Sequence, residues 1–137
     1  MQPRAQFAFL LLVLVQAAHS AEEHATGLYE IFAPARLASS LVSDDLATGF
    51  VVLNASLVAF GLWCYAVPVR SGRAGGRGWA WAWVLLELGN GIGHPLLALS
   101  RGGYFPGVVT APLLLLVAVW LAVLLVRSPV PSKPAAV

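Results

Sequence analysis

Charge is scarce in this chain. Eight lysine or arginine residues and six acids make up 10% of its 137 residues, against about 25% in an ordinary soluble domain. With 59% hydrophobic residues and a mean hydropathy of +0.81, that shortage excludes a solvated globular surface and indicates a membrane chain. A single cysteine, Cys64, excludes an intrachain disulfide; because it lies in an apolar segment, it says nothing about redox compartment. The basic residues are dispersed among loops and form no stripe with aromatics. Nucleic-acid binding is therefore excluded despite a pI of about 9.1. There is no internal repeat, and the length suits one domain.

What the chain does have is four apolar stretches, each close to the ~20 residues a membrane helix requires. The first is read as a helix over 5–32, stopped by Pro34. Arg4, the run 7–18 and Ala18-His19-Ser20 before Ala21 also fit a cleaved secretory signal. The helical pattern continuing through Ala25, Leu28, Tyr29, Ile31 and Phe32 favours a retained helix. Residues 33–47 read as a polar loop ending in an N-cap pair, Asp44 and Asp45. The second span covers 48–69, and a flexible basic linker 70–78. The third span covers 79–99, opened by Trp79, Trp81 and Trp83. A loop over 100–107 leads to the fourth span, 108–126, and the tail 127–137, with three prolines, is expected to be disordered.

The expected architecture is thus an all-α, integral membrane four-helix bundle, a single domain over 1–126. Arg4, Arg70, Arg73, Arg77, Arg127 and Lys133 fall on one side, Arg36 and Arg101 on the other. That asymmetry places both termini in the cytoplasm, with the indoles of the third span at that interface. A multi-pass protein of the cell (inner) membrane is expected, with the lipid bilayer as its first partner. Homo-oligomerisation is a further expectation, because four helices leave little shielded interior.

The polar residues inside the spans carry the functional signal, since ionisable groups there cost several kcal/mol unless they face protein or water. His19, Glu22 and Glu23 sit at i, i+3 and i+4, on one helical face. Glu87, Asn90 and His94 stand at i, i+3 and i+7, again one stripe. Gly89, Gly91 and Gly93 between them allow a neighbouring helix to approach, and Pro95 is expected to bend the chain just beyond the histidine. At about 1.5 Å per residue, His19 and Glu23 lie about 18 and about 24 Å above the cytoplasmic end of the first span. On the same rise Glu87, Asn90 and His94 lie about 12, about 16 and about 22 Å up the third. Asn54, descending in the second, sits about 21 Å up in a core about 30 Å thick. Most of these groups share the outer half of the bilayer and can meet, beneath a loop that carries Tyr104 and Thr110.

These residues also carry a likeness. His19-x-x-Glu22-Glu23, Glu87-x-x-Asn90-Gly91-x-x-His94 and Tyr104-x-Pro106-Gly107-x-x-Thr110 follow one another in order, and the chain resembles the HXXEE family of small membrane proteins. The resemblance implies a multi-spanning architecture, and it counts against cleavage before Ala21, which would split the first motif. It implies no reaction, because the family's activity is unassigned.

Histidine and carboxylate ligands suit a divalent metal such as Zn, Mn or Fe. One reading takes His19, Glu23, Glu87 and His94 as metal ligands, Glu22 as a catalytic base, and Asn54, Asn90, Tyr104 and Thr110 as the groups around them. A bound ion would activate water near the headgroups, acting on a lipid-like or small substrate. Acid–base chemistry without metal, a small proton-linked transporter and a purely structural polar cluster in a membrane scaffold or binding protein are the alternatives. His24 and Glu30 read as solvated.

Overall fold

A computed structural model describes residues 1–73 and 75–128. Among them the chain is all-α, with no strand. Six helices follow in order: α1 (Pro3–Ala25), α2 (Leu28–Ile31), α3 (Ala33–Ser40), α4 (Leu46–Cys64), α5 (Gly76–Arg101) and α6 (Ala111–Arg127). A π-helical turn, Tyr65–Val69, extends α4. Pro68 lies in that turn, where its missing N–H loosens the helical ladder.

Four long helices are present, but two short ones correct the expected layout. The first helix does not reach residue 32. It ends at Ala25, because Gly27 adopts φ +70, a left-handed conformation that glycine reaches freely. Thr26 reinforces the stop by donating both its amide and its hydroxyl to the Glu22 carbonyl. The stretch 33–47 is not simply a loop either. Pro34 falls in the first turn of α3, where a proline is preorganised and its absent N–H is not missed. Asp45 alone takes the N-cap of α4, its carboxylate accepting from the amides of Ala47 and Thr48.

The linker 70–78 is shorter than expected, since α5 begins at Gly76; Ala74 lies outside the described residues. The fourth long helix starts at Ala111 rather than 108, after a turn over 106–110. α5 continues through Pro95 to Arg101. The expected disordered tail, from 129 onward, and with it Lys133, lies outside the described residues.

α6 packs most extensively on α5 and also on α1; α1 packs on α4, and α3 covers the start of α4. Phe9, Leu12, Val84, Leu114, Leu121 and Leu125 fill the centre. Two glycines set close approaches. Gly61 receives the Trp83 ring, and Gly91 lies against the Leu115 backbone, a Cβ there falling 2.9 Å from its amide nitrogen. Gly89 and Gly93, expected to serve the same purpose, face nothing within 4 Å. At the opposite end Arg77 donates to the carbonyls of Leu125 and Ser128, tying the start of α5 to the end of α6. Two segments, Pro3–Ala25 and Leu46–Val69, are long and apolar enough to cross a membrane by length and composition.

Candidate metal centre

The far ends of α1 and α5 bring His19, Glu23 and His94 together. One Glu23 carboxylate oxygen, Oε1, lies 3.3 Å from His19 Nε2 and 3.2 Å from His94 Nε2. The two imidazoles meet edge to face with centroids 4.7 Å apart. One donor atom from each of the three residues falls within 4.8 Å of the others, and all three residues are buried.

The remaining ring nitrogens are committed. His94 Nδ1 lies 2.5 Å from the Pro106 carbonyl oxygen, which can only accept, so Nδ1 carries the hydrogen. His19 Nδ1 lies 2.7 Å from Thr110 Oγ1. The single hydroxyl hydrogen of Thr110 is directed to Glu22 Oε2 at 2.6 Å, so Thr110 receives the His19 Nδ1 hydrogen. With the hydrogens assigned from this network, each ring in its neutral form turns the Nε2 electron pair toward Glu23. His19 Nε2 is buried without any hydrogen-bond partner.

The loop that supplies these partners is itself anchored by Glu22. Its Oε1 accepts from the Tyr104 hydroxyl at 2.8 Å and the Val109 amide at 3.1 Å. Oε2 accepts from the Thr110 amide at 2.8 Å as well as from its hydroxyl. Glu22 therefore stands at the N-terminus of α6, where a carboxylate matches the helix dipole, and not among the three converging donors. Tyr104 lies outside the helices, and reduced hydration followed by the Glu22 carboxylate beside it push its phenol above the ordinary range. Gly107, at φ +86, presses on both imidazoles: a Cβ there would come within 2.6 Å of His94 Nδ1 and 2.7 Å of His19 Cε1.

Glu87, expected as a fourth ligand, lies elsewhere. Fully buried, it faces the amides of Asn90 and Gln16. Asn54 holds Ser20, its oxygen 2.8 Å from Ser20 Oγ. A cavity of about 260 Å³ opens beside the cluster, lined by Glu23, His94, Gln16, Asn54 and Asn90 among apolar side chains. His24 and Glu30 are exposed, although the His24 ring stacks on Phe50 at 6.3 Å.

The sequence pattern gave no role to Gln16 or Ser20, and marked Gly107 only as part of the third motif. Gln16 was the findable one, as a lone amide inside an apolar run on the face of His19 and Ser20. Nothing in the sequence points to the Pro106 carbonyl.

No curated protein and no solved structure matches the chain. The family described as a protein of unknown function with HXXEE motif matches residues 10–121, a stretch that includes all three converging donors as well as Glu22 and Thr110. The chain belongs to the HXXEE family.

Proposed function

We propose that this is a four-span integral membrane protein, a single domain over 1–126 with cytoplasmic termini, that binds one divalent metal ion through His19, Glu23 and His94. The observation that carries the metal is the buried convergence of His19 Nε2, His94 Nε2 and one Glu23 carboxylate oxygen, with the Nδ1 hydrogen of each ring taken up elsewhere. With both rings neutral these are three electron-pair donors, a set that a metal cation stabilises and that a proton between imidazole and carboxylate occupies in its absence. Ligands about 2.1 Å from an ion stand about 3.0–3.4 Å apart, which both histidine–carboxylate separations satisfy; the donor set as a whole, within 4.8 Å, contracts around the ion. Two histidines and one carboxylate with open positions suit Zn, Mn or Fe. Glu22 and Glu87 are left out of the ligand set, and Glu22, with both oxygens filled by hydrogen-bond donors, is not assigned as the base.

Support for the membrane comes from the outer surface. Leu85, Leu99, Leu116 and Val126 are 66%, 78%, 68% and 70% exposed on α5 and α6, the first long enough but less apolar and the second apolar but 17 residues long. Apolar exposure on that scale marks a surface meant for lipid or a partner. The arginine asymmetry sets the orientation, and the cluster then lies toward the non-cytoplasmic face. A bound ion would make water a nucleophile there, and the adjoining cavity, largely apolar with a few amides, suits a lipid-like or small substrate.

The test is elemental analysis of protein purified in detergent and loaded in turn with Zn, Mn and Fe. We expect retention of about one ion per chain, lost in His19→Ala, Glu23→Gln and His94→Ala and kept in Glu87→Gln. Folded wild-type protein that retains none of the three metals overturns the proposal.

A further inference from the structure

A second polar chain crosses the bundle beside the metal cluster without sharing a residue with it. It runs from Glu87 on α5 to Gln16 and Ser20 on α1 and ends at Asn54 on α4. Gln16 Oε1 lies 2.8 Å from Glu87 Oε2 and 3.2 Å from Oε1. Gln16 Nε2 donates to Ser20 Oγ at 3.0 Å. Ser20 donates to Asn54 Oδ1 at 2.8 Å, and Asn54 Nδ2 to the Phe50 carbonyl at 3.0 Å.

With Glu87 ionised, this chain is one hydrogen short. The Gln16 oxygen would face two carboxylate oxygens. Turning the Gln16 amide over removes that clash, but its oxygen then claims the single Ser20 hydrogen, and Asn54 Oδ1 is left against a bare oxygen. Turning Asn54 as well moves the same conflict to the Phe50 carbonyl. Each arrangement keeps one contact between two acceptors in a buried or half-buried position, which disfavours the ionised state. A proton on Glu87, donated to Gln16 Oε1, satisfies every group in a single direction from α5 to α4. The Asn90 amide donates to Glu87 Oε2 at 3.1 Å and, more distantly, to Gln16 Oε1 at 3.5 Å; it does so in either state and places no hydrogen in the 2.8 Å contact between those two oxygens.

We propose that Glu87 is a proton-binding site, held as a neutral carboxylic acid, and that its proton keeps the Ser20–Asn54 bond joining α1 to α4 in place. Losing it turns Gln16, draws the Ser20 hydrogen away from Asn54 and loosens α4 where Ser20 and Asn54 line a groove of about 470 Å³ between the two helices. Gln16 and Asn90 line the smaller cavity, which gives the proton a way out. The other charged group that acts on Glu87 is Glu23, from α1; no charged residue of α4 reaches this level. The inference does not depend on a bound metal.

The experiment is infrared spectroscopy of full-length protein in detergent at neutral pH, comparing wild type with Glu87→Gln. A carbonyl band of a protonated carboxyl is expected in wild type and lost in the variant. The variant should melt close to wild type, because an amide replaces the donor of a neutral acid but not the acceptor of an ionised one. Side-chain carboxyl-labelled glutamate shifts the wild-type band and assigns it to glutamate even if the variant fails to fold. Absence of the band in wild type, its survival in Glu87→Gln, or a labelled sample that leaves it unshifted overturns the proposal.

Discussion

His19 Nδ1 and Thr110 Oγ1 meet at 2.7 Å although 91 residues separate them. That contact determines which nitrogen of His19 faces Glu23, because the Thr110 hydroxyl, with its own hydrogen on Glu22, can only receive. Metal-binding histidines commonly have their second nitrogen oriented in this way, and losing the orienting group costs about 10–100-fold in affinity. Thr110→Val is expected to weaken metal binding by that factor while the protein stays folded, with Thr110→Ser restoring it. A titration with Zn in detergent measures this, and unchanged affinity in the valine variant rejects the role.

Glu22 should separate from its neighbour by assay. Glu22→Gln is expected to keep the metal and to loosen the loop, raising hydrogen exchange at the Val109 and Thr110 amides. The variant also removes the negative charge that helps hold the Tyr104 phenol above its ordinary value. Ultraviolet titration, read as the difference from Tyr104→Phe, should show that phenol ionising at lower pH. An unmoved phenol contradicts the contact.

Gly107→Ala combines two penalties. The backbone at φ +86 resists any Cβ, at about 1–2 kcal/mol, and the added carbon would lie 2.6 Å from His94 Nδ1. A lower melting temperature together with loss of the metal is expected. Loss of neither would mean that the loop does not press on the rings.

Gly89 and Gly91 differ by two positions and should differ in sign. Gly91→Ala places a carbon against the Leu115 backbone and is expected to destabilise by about 1–3 kcal/mol. Gly89→Ala meets nothing and should stabilise α5, since alanine is favoured over glycine by up to about 1 kcal/mol in a helix. Thermal melts of the two variants decide it.

At the cap of α4, the Thr48 hydroxyl, 2.5 Å from Asp45 Oδ2, and then the amides of Thr48 and Ala47 hold the Asp45 carboxyl below its ordinary value. The folded state therefore binds fewer protons than the unfolded state. The cap contributes fully above the ordinary aspartate value near about 3.9 and is lost as pH falls through the lower folded value. Melts on the acid side should show a decline in wild type that is shallower in Asp45→Asn, whose amide oxygen still caps but does not titrate. Identical slopes refute it.

Much of the candidate site was legible in the sequence, because polar side chains in an apolar run must find one another. Separating Glu22 from Glu23 was not. At about 100° per residue they flank His19 at about −60° and +40°, so one helical face contains both directions, and only the packing of α5 and α6 shows which neighbour each acid meets. Glu87 misled for a similar reason, since its stripe with His94 says nothing about the Gln16 amide waiting on α1. In the fold, Pro34 was taken for a stop because proline ends a helix from its interior and begins one from its first turn; the preceding Gly27 was the stronger signal. Among Gly89, Gly91 and Gly93 of α5, periodicity could not show that Gly91 alone packs on α6.

The distance along the chain between His19 and Thr110 has a consequence for biosynthesis. The first helix emerges from the ribosome with Gln16, His19, Ser20 and Glu23 on it, while the residues that complement them in α5 and α6 have not been made. During that interval, if the bundle is inserted as proposed, lodging α1 alone in hydrocarbon is penalised by several kcal/mol for its unmatched groups. A nascent chain cut short before α6 should accordingly be a substrate for quality-control proteolysis, and α6, translated long after α1, is the helix that secures it.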